Sequence, residues 1–173
     1  TPVPMNRRAF LQTSSALTAT ALASATGRAA PANARRMRVA LVPGSIGVNV
    51  ASQRESIDLA QRHGFEAVEP RAPELAAASP GEVEALRAGL AAAKLAWAAA
   101  SLSVDFRKDD ATFRTGLAEL PRLAAGLRRA GADRIGTWIP PCHDNLTYRP
   151  NFALHASRLR EVAAVLGDHG IRL

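Results

Sequence analysis

From Met37 onward the chain alternates between short apolar runs and longer stretches whose apolar residues recur at helical spacing. Arg38-Val39-Ala40-Leu41-Val42-Pro43 is the first short run, and its length and closing Pro-Gly predict a buried strand. Ser52-Gln53-Arg54-Glu55 reads as a capping box, with the Ser hydroxyl accepting from the third helical N–H and Glu55 returning to the cap amide. The helix it opens carries Ile57, Leu59 and Ala60 and stops at Gly64, which can take the left-handed conformation a helix end needs. Phe65-Glu66-Ala67-Val68-Glu69 follows as a second strand, closed by Pro70.

The pattern then repeats. Ser79-Pro80-Gly81-Glu82 is a second capping box, with Pro at the first helical position where its missing N–H is no loss. Val83, Leu86, Leu90 and Ala93 keep helical spacing, and the run from Leu95 to Leu102 reads as a third strand despite its alanines. A long helix is predicted from about Ala111 to Ala130, kinked at Pro121 and stopped by Gly131. Arg134–Ile139 is strand four, ended by Pro140-Pro141. Asn151 is placed to cap a helix through Leu166, Gly170 to end it, and Ile171-Arg172-Leu173 to begin a fifth strand.

Strands alternating with helices across short turns predict an α/β fold with a parallel sheet. Strand starts near residues 38, 65, 95, 134 and 171 suit four β/α units plus the start of a fifth strand. A (β/α)8 barrel needs about 250 residues, so the expectation is a partial barrel. Because the last residues lie inside an apolar strand, the chain reads as a truncated front half. Such a half should expose two parallel edges, self-associate, and show no metal-dependent isomerase turnover alone. A complete five-strand doubly wound sheet is the competing architecture.

Charge refines this picture. The formal net charge is +7, yet residues 1–54 carry seven basic residues and no acidic one, while the remainder carries 15 of each sign. A nucleic-acid groove needs clustered positive charge on the folded body, so nucleic acid is not expected as a partner. The excess belongs to a leader. Arg7-Arg8 followed by Phe10-Leu11, a mild apolar run from Thr13 to Ala25 and the closing Ala23-Ser24-Ala25 form the three parts of a cleavable signal. The arginine pair resembles the twin-arginine motif, which implies a twin-arginine translocase partner and a periplasmic or secreted destination. Residues 1–36 are read as signal and junction, residues 37–173 as the folded segment. The apolar run is too short and polar for a stable membrane span. The single Cys142 excludes an intrachain disulfide.

Three stretches carry a further resemblance. The order Val-Ala-Leu-Val-Pro, then His63-Gly64-Phe65-Glu66-Ala67-Val68-Glu69-Pro70, then Ala130-Gly131-Ala132-Asp133-Arg134-Ile135 with Trp138 at the strand end, resembles the xylose isomerase-like barrel superfamily. Its sugar phosphate isomerase/epimerase branch is the best match, over roughly Met37 to Leu173. The resemblance implies an isomerase or epimerase acting on a sugar, commonly with a divalent metal (Mn, Mg or Zn) held by Glu, Asp, His and Glu. Those ligands belong to the second half of the barrel, the first just past Leu173, so this segment is expected to bind no metal itself. A non-catalytic periplasmic domain that binds a sugar or a partner is the alternative.

In a barrel the chemistry sits at the C-terminal ends of the strands. No catalytic residue is assigned, but five residues are candidates for the substrate wall. Glu69 and Arg71 end strand two, where they could bind a sugar hydroxyl or carboxylate, or form a rim ion pair. Ser103 follows strand three, with Ser101 and Asp105 beside it. Trp138 ends strand four and could stack on a sugar face, and His143 lies in the loop beyond. Cys142-His143-Asp144 has no metal-ligand spacing and reads as a solvated loop. His63, His155 and His169 are assigned to helices, on the wrong side of a barrel for chemistry. Pro43-Gly44-Ser45-Ile46-Gly47-Val48 lacks the Lys-Ser/Thr of a P-loop and the third glycine of a dinucleotide fingerprint. Asp105-Phe106-Arg107-Lys108-Asp109-Asp110 should be a loop and a helix cap.

The leader generates a direct test. The translocase reads the arginine pair rather than total charge, so Arg7→Lys with Arg8→Lys should abolish export of a fused folded reporter. Export at the wild-type level in a fractionation assay would replace the twin-arginine reading with an ordinary secretory signal, which needs only the positive charge.

Overall fold

The computed structural model describes residues 37–143 and 145–173. The signal and junction, and Asp144 of the Cys142-His143-Asp144 loop, lie outside the described residues. Arg38–Leu173 forms one compact unit.

The order of elements is β1 (Ala40–Leu41), α1 (Gln53–Arg62), β2 (Ala67–Val68), α2 (Ala72–Ala77), α3 (Pro80–Ala92), β3 (Ala96–Trp97), β4 (Ala100–Ser101), α4 (Asp110–Ala130), β5 (Ile135–Gly136) and α5 (Tyr148–Asp168). All pairings are parallel and follow chain order, in a three-stranded sheet β1-β2-β3 and a two-stranded sheet β4-β5, with no pairing between β3 and β4. A parallel bridge from Arg134 to Arg172 adds the start of a further strand. This sequential order is that of a barrel wall; a doubly wound sheet reverses direction at a switch point. The fold is a partial (β/α)8 barrel.

The helix starts follow local chemistry. At α3 both halves of the capping box form, Ser79 accepting from the Glu82 amide at 3.3 Å and Glu82 from the Ser79 amide at 2.7 Å. That backbone hydrogen bond, then the one to the Ser79 side chain, holds the Glu82 carboxyl below its ordinary range. The box expected at α1 is only half present. Ser52 accepts from the Glu55 amide at 3.1 Å, but Glu55 takes its bond from Ala51 at 2.6 Å, one residue before the cap. Asp109 caps α4 through the Thr112 amide at 2.9 Å, and α4 runs uninterrupted through Pro121. Gly64, Gly131 and Gly170 take the left-handed φ expected of helix stops.

Two helix boundaries differ from the sequence reading. Asn151 does not cap α5; Thr147 is the N-cap, and Asn151 lies buried within the first turns, its Nδ2 donating to the Pro141 carbonyl at 3.4 Å. Helix α2 is an addition to the expected pattern. It has Pro at its start but no glycine stop, and its terminal carbonyls are met from far away: Arg129 Nη2 donates to Leu75 at 3.1 Å and to Ala76 and Ala78 at 3.4 Å. Those orphan carbonyls are what a local stop signal ordinarily satisfies.

The larger core joins α2, α4 and α5 to the β4–β5 side through Leu75, Phe113, Leu120, Leu127, Val162 and Leu166, all fully buried. Burial of each large side chain contributes about 1.5–3 kcal/mol. A smaller cluster of Leu41, Ile57, Ala60, Val68, Leu90 and Leu95 seats α1 and α3 against β1 and β2. Trp97 Nε1 ties the sheet to α4 by donating to the last helical carbonyl, Ala130, at 2.8 Å.

Helices α2 and α4 meet at Gly126, where a Cβ would lie 2.5 Å from the Ala76 Cα. Gly126→Ala should therefore destabilise the fold by about 1–3 kcal/mol through overpacking, although alanine is the better helix former. Urea denaturation followed by circular dichroism measures this. A gain in stability would show that the helices can separate freely.

Candidate functional site

The parallel register brings the C-terminal ends of β2 and β4 together. Ser101, the last residue of β4, donates its amide to Glu69 Oε1 at 3.1 Å and its hydroxyl to the same oxygen. Glu69 follows directly after β2, and its own amide is fixed by the Leu41 carbonyl at 2.9 Å. One carboxylate oxygen is thus anchored across two strands. Glu69, Arg71, Ser101 and Ser103 line a hollow of about 330 Å³. An adjoining hollow of about 400 Å³, between Glu69, Arg71 and the turn at Pro43–Val50, continues it.

Arg71 does not pair with Glu69, as a rim ion pair would require. Its Nε donates to Glu74 Oε2 at 3.0 Å and its Nη1 to the Val50 carbonyl at 3.1 Å. The guanidinium is held between α2 and the β1–α1 connection, at the junction of the two hollows. The residue beneath it, Gln53, carried no functional signal in the sequence. Gln53 is fully buried, its Nε2 donating to the Glu69 carbonyl at 3.1 Å and its Oε1 accepting from the Arg71 amide at 2.6 Å. Both Glu74 oxygens accept from the Gln53 amide at 2.9 Å. Gln53 was legible only as a helix-start residue; its contacts span 16 and 18 positions, which local patterning does not encode.

The other two candidates belong to a second cluster. Trp138 is 69 % exposed, with the Arg107 guanidinium 5.1 Å from its ring centroid. Arg107 also lies 5.3 Å from the Phe106 ring and pairs with Asp105 at 3.1 Å. Burial pushes the Asp105 carboxyl up, but the hydrogen bonds and charge of Arg107 hold it net below its ordinary range. His143 Nδ1 accepts from the Asn145 amide at 3.0 Å, and Cys142 is exposed and unbridged. His63 and His169 sit at helix ends, as the sequence suggested. His155 lies within α5, also as assigned, and is buried there against Phe106.

The described residues contain no group of three or more His, Cys, Asp or Glu side chains able to hold a metal ion. Both Ser101 bonds go to one Glu69 oxygen, leaving the other open, while Glu74 is engaged by Gln53 and Arg71; one open carboxylate oxygen is too few donors for the divalent metal the resemblance implies. No helix among the described residues is long and apolar enough to cross a membrane. A third hollow, of about 470 Å³ between α1, α2 and α3, lies on the helix side and is lined largely by alanines and scattered charges. Convergent polar groups at strand ends favour the Glu69 hollow as the site.

The local test of this arrangement is Gln53→Leu, which keeps the volume and removes both side-chain bonds. It leaves the Glu69 carbonyl and Arg71 amide without their partner and should cost about 2–4 kcal/mol, measured by chemical denaturation. An unchanged midpoint would show that Gln53 does not hold the Glu69–Arg71 turn.

No protein-family model and no curated protein matches the chain. Solved structures do. A D-psicose 3-epimerase with D-tagatose from Clostridium cellulolyticum H10 superimposes with a TM-score of 0.54 at 17% identity, over 70% of this chain and 45% of that one. A xylose isomerase domain protein from Alicyclobacillus acidocaldarius gives 0.56 at 27% identity, over 72% and 45%. A 3-keto-D-glucoside 4-epimerase from E. coli gives 0.51 at 16% identity, over 70% and 49%. The chain thus spans less than half the length of these structures, and shares with them the fold of a partial xylose isomerase-like barrel.

Proposed function

We propose that this chain supplies the front half of an exported sugar isomerase or epimerase barrel, with Glu69, Arg71, Ser101 and Ser103 forming a wall that binds sugar hydroxyls. The observation that carries this reading is the junction of Glu69 and Ser101 across the ends of parallel strands, beside Arg71 and open to a hollow. A carboxylate oxygen left by the Ser101 bonds accepts from one hydroxyl while a guanidinium donates to its neighbour, a pattern suited to a vicinal diol. Trp138 and His143 would form a separate flank of the mouth.

Two of the matched structures support a sugar as the ligand class: both are sugar epimerases by name, and one was solved with D-tagatose. Moving a proton along a sugar requires a paired acid and base and a group that polarises the carbonyl. On this reading those groups, and the divalent metal, come from the other half of the barrel, and this half orients the substrate. Delivery through the twin-arginine route would place the assembly in the periplasm or outside the cell.

Titration of the full chain with D-tagatose and D-fructose, followed by ligand-observed NMR, tests the wall. Saturable binding is expected, weakened about tenfold or more by Glu69→Gln, because a hydrogen bond to a charged group contributes about 1.5–3 kcal/mol. Binding that is absent, or indifferent to Glu69→Gln, would contradict the assignment.

A further inference from the structure

A second polar cluster lies beneath the loops that follow β4 and β5. His155 is 2% exposed and meets Phe106 edge-on, with centroids 5.0 Å apart and planes at 88°. Neither ring nitrogen has a hydrogen-bond partner among the described residues, nor does Oδ1 of Asn151, one helical turn earlier and equally buried. Buried polar atoms without partners are rare in folded proteins and call for a physical reason.

Among the described residues, the fixed charges that act on the ring are those of two arginines. On its own helix, Arg158 is 7% exposed and donates Nη1 to the Phe106 carbonyl at 3.1 Å and to the Lys108 carbonyl at 2.5 Å. From the loop after β4 comes Arg107, over the Phe106 ring. From the loop after β5 comes His143, a second imidazole that disfavours a proton on His155. The nearby carboxylates are engaged elsewhere, Asp105 with Arg107 at 3.1 Å and Asp110 with Arg158 at 3.5 Å. A proton on His155 would therefore be buried beside like charges, with no carboxylate bonded to it among the described residues.

We propose that His155 is an acid-sensitive latch: neutral, it lets the N-terminal half of α5 pack on Phe106, and on protonation it loosens that packing and frees the Arg107–Trp138 pair at the mouth. Burial first, then the charges of His143, Arg107 and Arg158, hold the His155 imidazole below its ordinary range. The open form takes up the proton near the ordinary value of about 6.5. The latch is thus fully closed above that pH and weakens as pH falls through it, because the open form then binds more protons than the closed one. Asp105 and Asp133, both held low by arginine partners, stay ionised across this window.

Hydrogen exchange of the full chain at about pH 7.5 and 5.5, corrected for intrinsic rates, reads the latch. The opening constant of amides in residues 150–160 should rise about tenfold on acidification, the ratio set by one group with an unfolded pKa near 6.5. His155→Phe keeps an aromatic ring against Phe106 and should reduce the rise to less than about twofold, while His143→Gln should retain most of it. A wild-type chain with no rise, or an undiminished rise in His155→Phe, overturns the proposal. Should His155→Phe fail to fold, an NMR titration of the wild-type ring decides. A ring resonance that stays put in the folded state supports the latch, and one that titrates near pH 6.5 without opening overturns it.

Discussion

Ala98 donates to the Val68 carbonyl at 2.9 Å, and two residues later Ala100 donates to the Arg134 carbonyl at 3.0 Å. In a regular strand, amides two apart point to the same side, so the chain must rotate between Ala98 and Ala100. That rotation lets one short segment serve β2 on one side and β5 on the other. It also turns the Ser101 amide back toward Glu69. The sequence permits it because Ala98-Ala99-Ala100 carries no bulk, and the facing residue is Gly136, where a Cβ would lie 3.5 Å from that of Ala99.

Around this joint the site is supported from behind. Gln53 fixes the backbone on both sides of Pro70, Glu74 fixes the Gln53 amide and the Arg71 guanidinium, and both reach back to the start of α1. Glu69 is therefore held from three elements, its amide by Leu41, its carbonyl by Gln53 and its carboxylate by Ser101. Such preorganisation would favour binding at the candidate site, since few side-chain torsions would remain to be fixed by a ligand. The same economy of engaged carboxylates makes the pocket poor in metal ligands.

Much of the fold was legible where signals are local. The Ser79 box and the Gly64 and Gly131 stops each depend on residues a few positions apart and stand where the pattern put them, and the cap expected within Asp105–Asp110 is Asp109. Long-range satisfaction was not legible. Helix α2 ends without a stop because Arg129, more than fifty residues away, caps it. Asn151 looked like a cap by type, yet Thr147 holds that place and Asn151 is drawn inside. Of the candidate site, Glu69, Arg71 and Ser103 could be placed at neighbouring strand ends from strand order alone, and they line one hollow. Gln53 and the burial of His155 could not, because both depend on tertiary contacts with no sequence period.

Cross-strand nuclear Overhauser effects in the isotope-labelled chain test the parallel joint that carries Ser101 to Glu69. Contacts of Ala98 with Val68 and of Ala100 with Arg134 and Ile135 are expected, together with the Ser101 amide close to the Glu69 side chain. An Ala100 amide that continues to pair with β2, or an antiparallel pattern at either side, would contradict it.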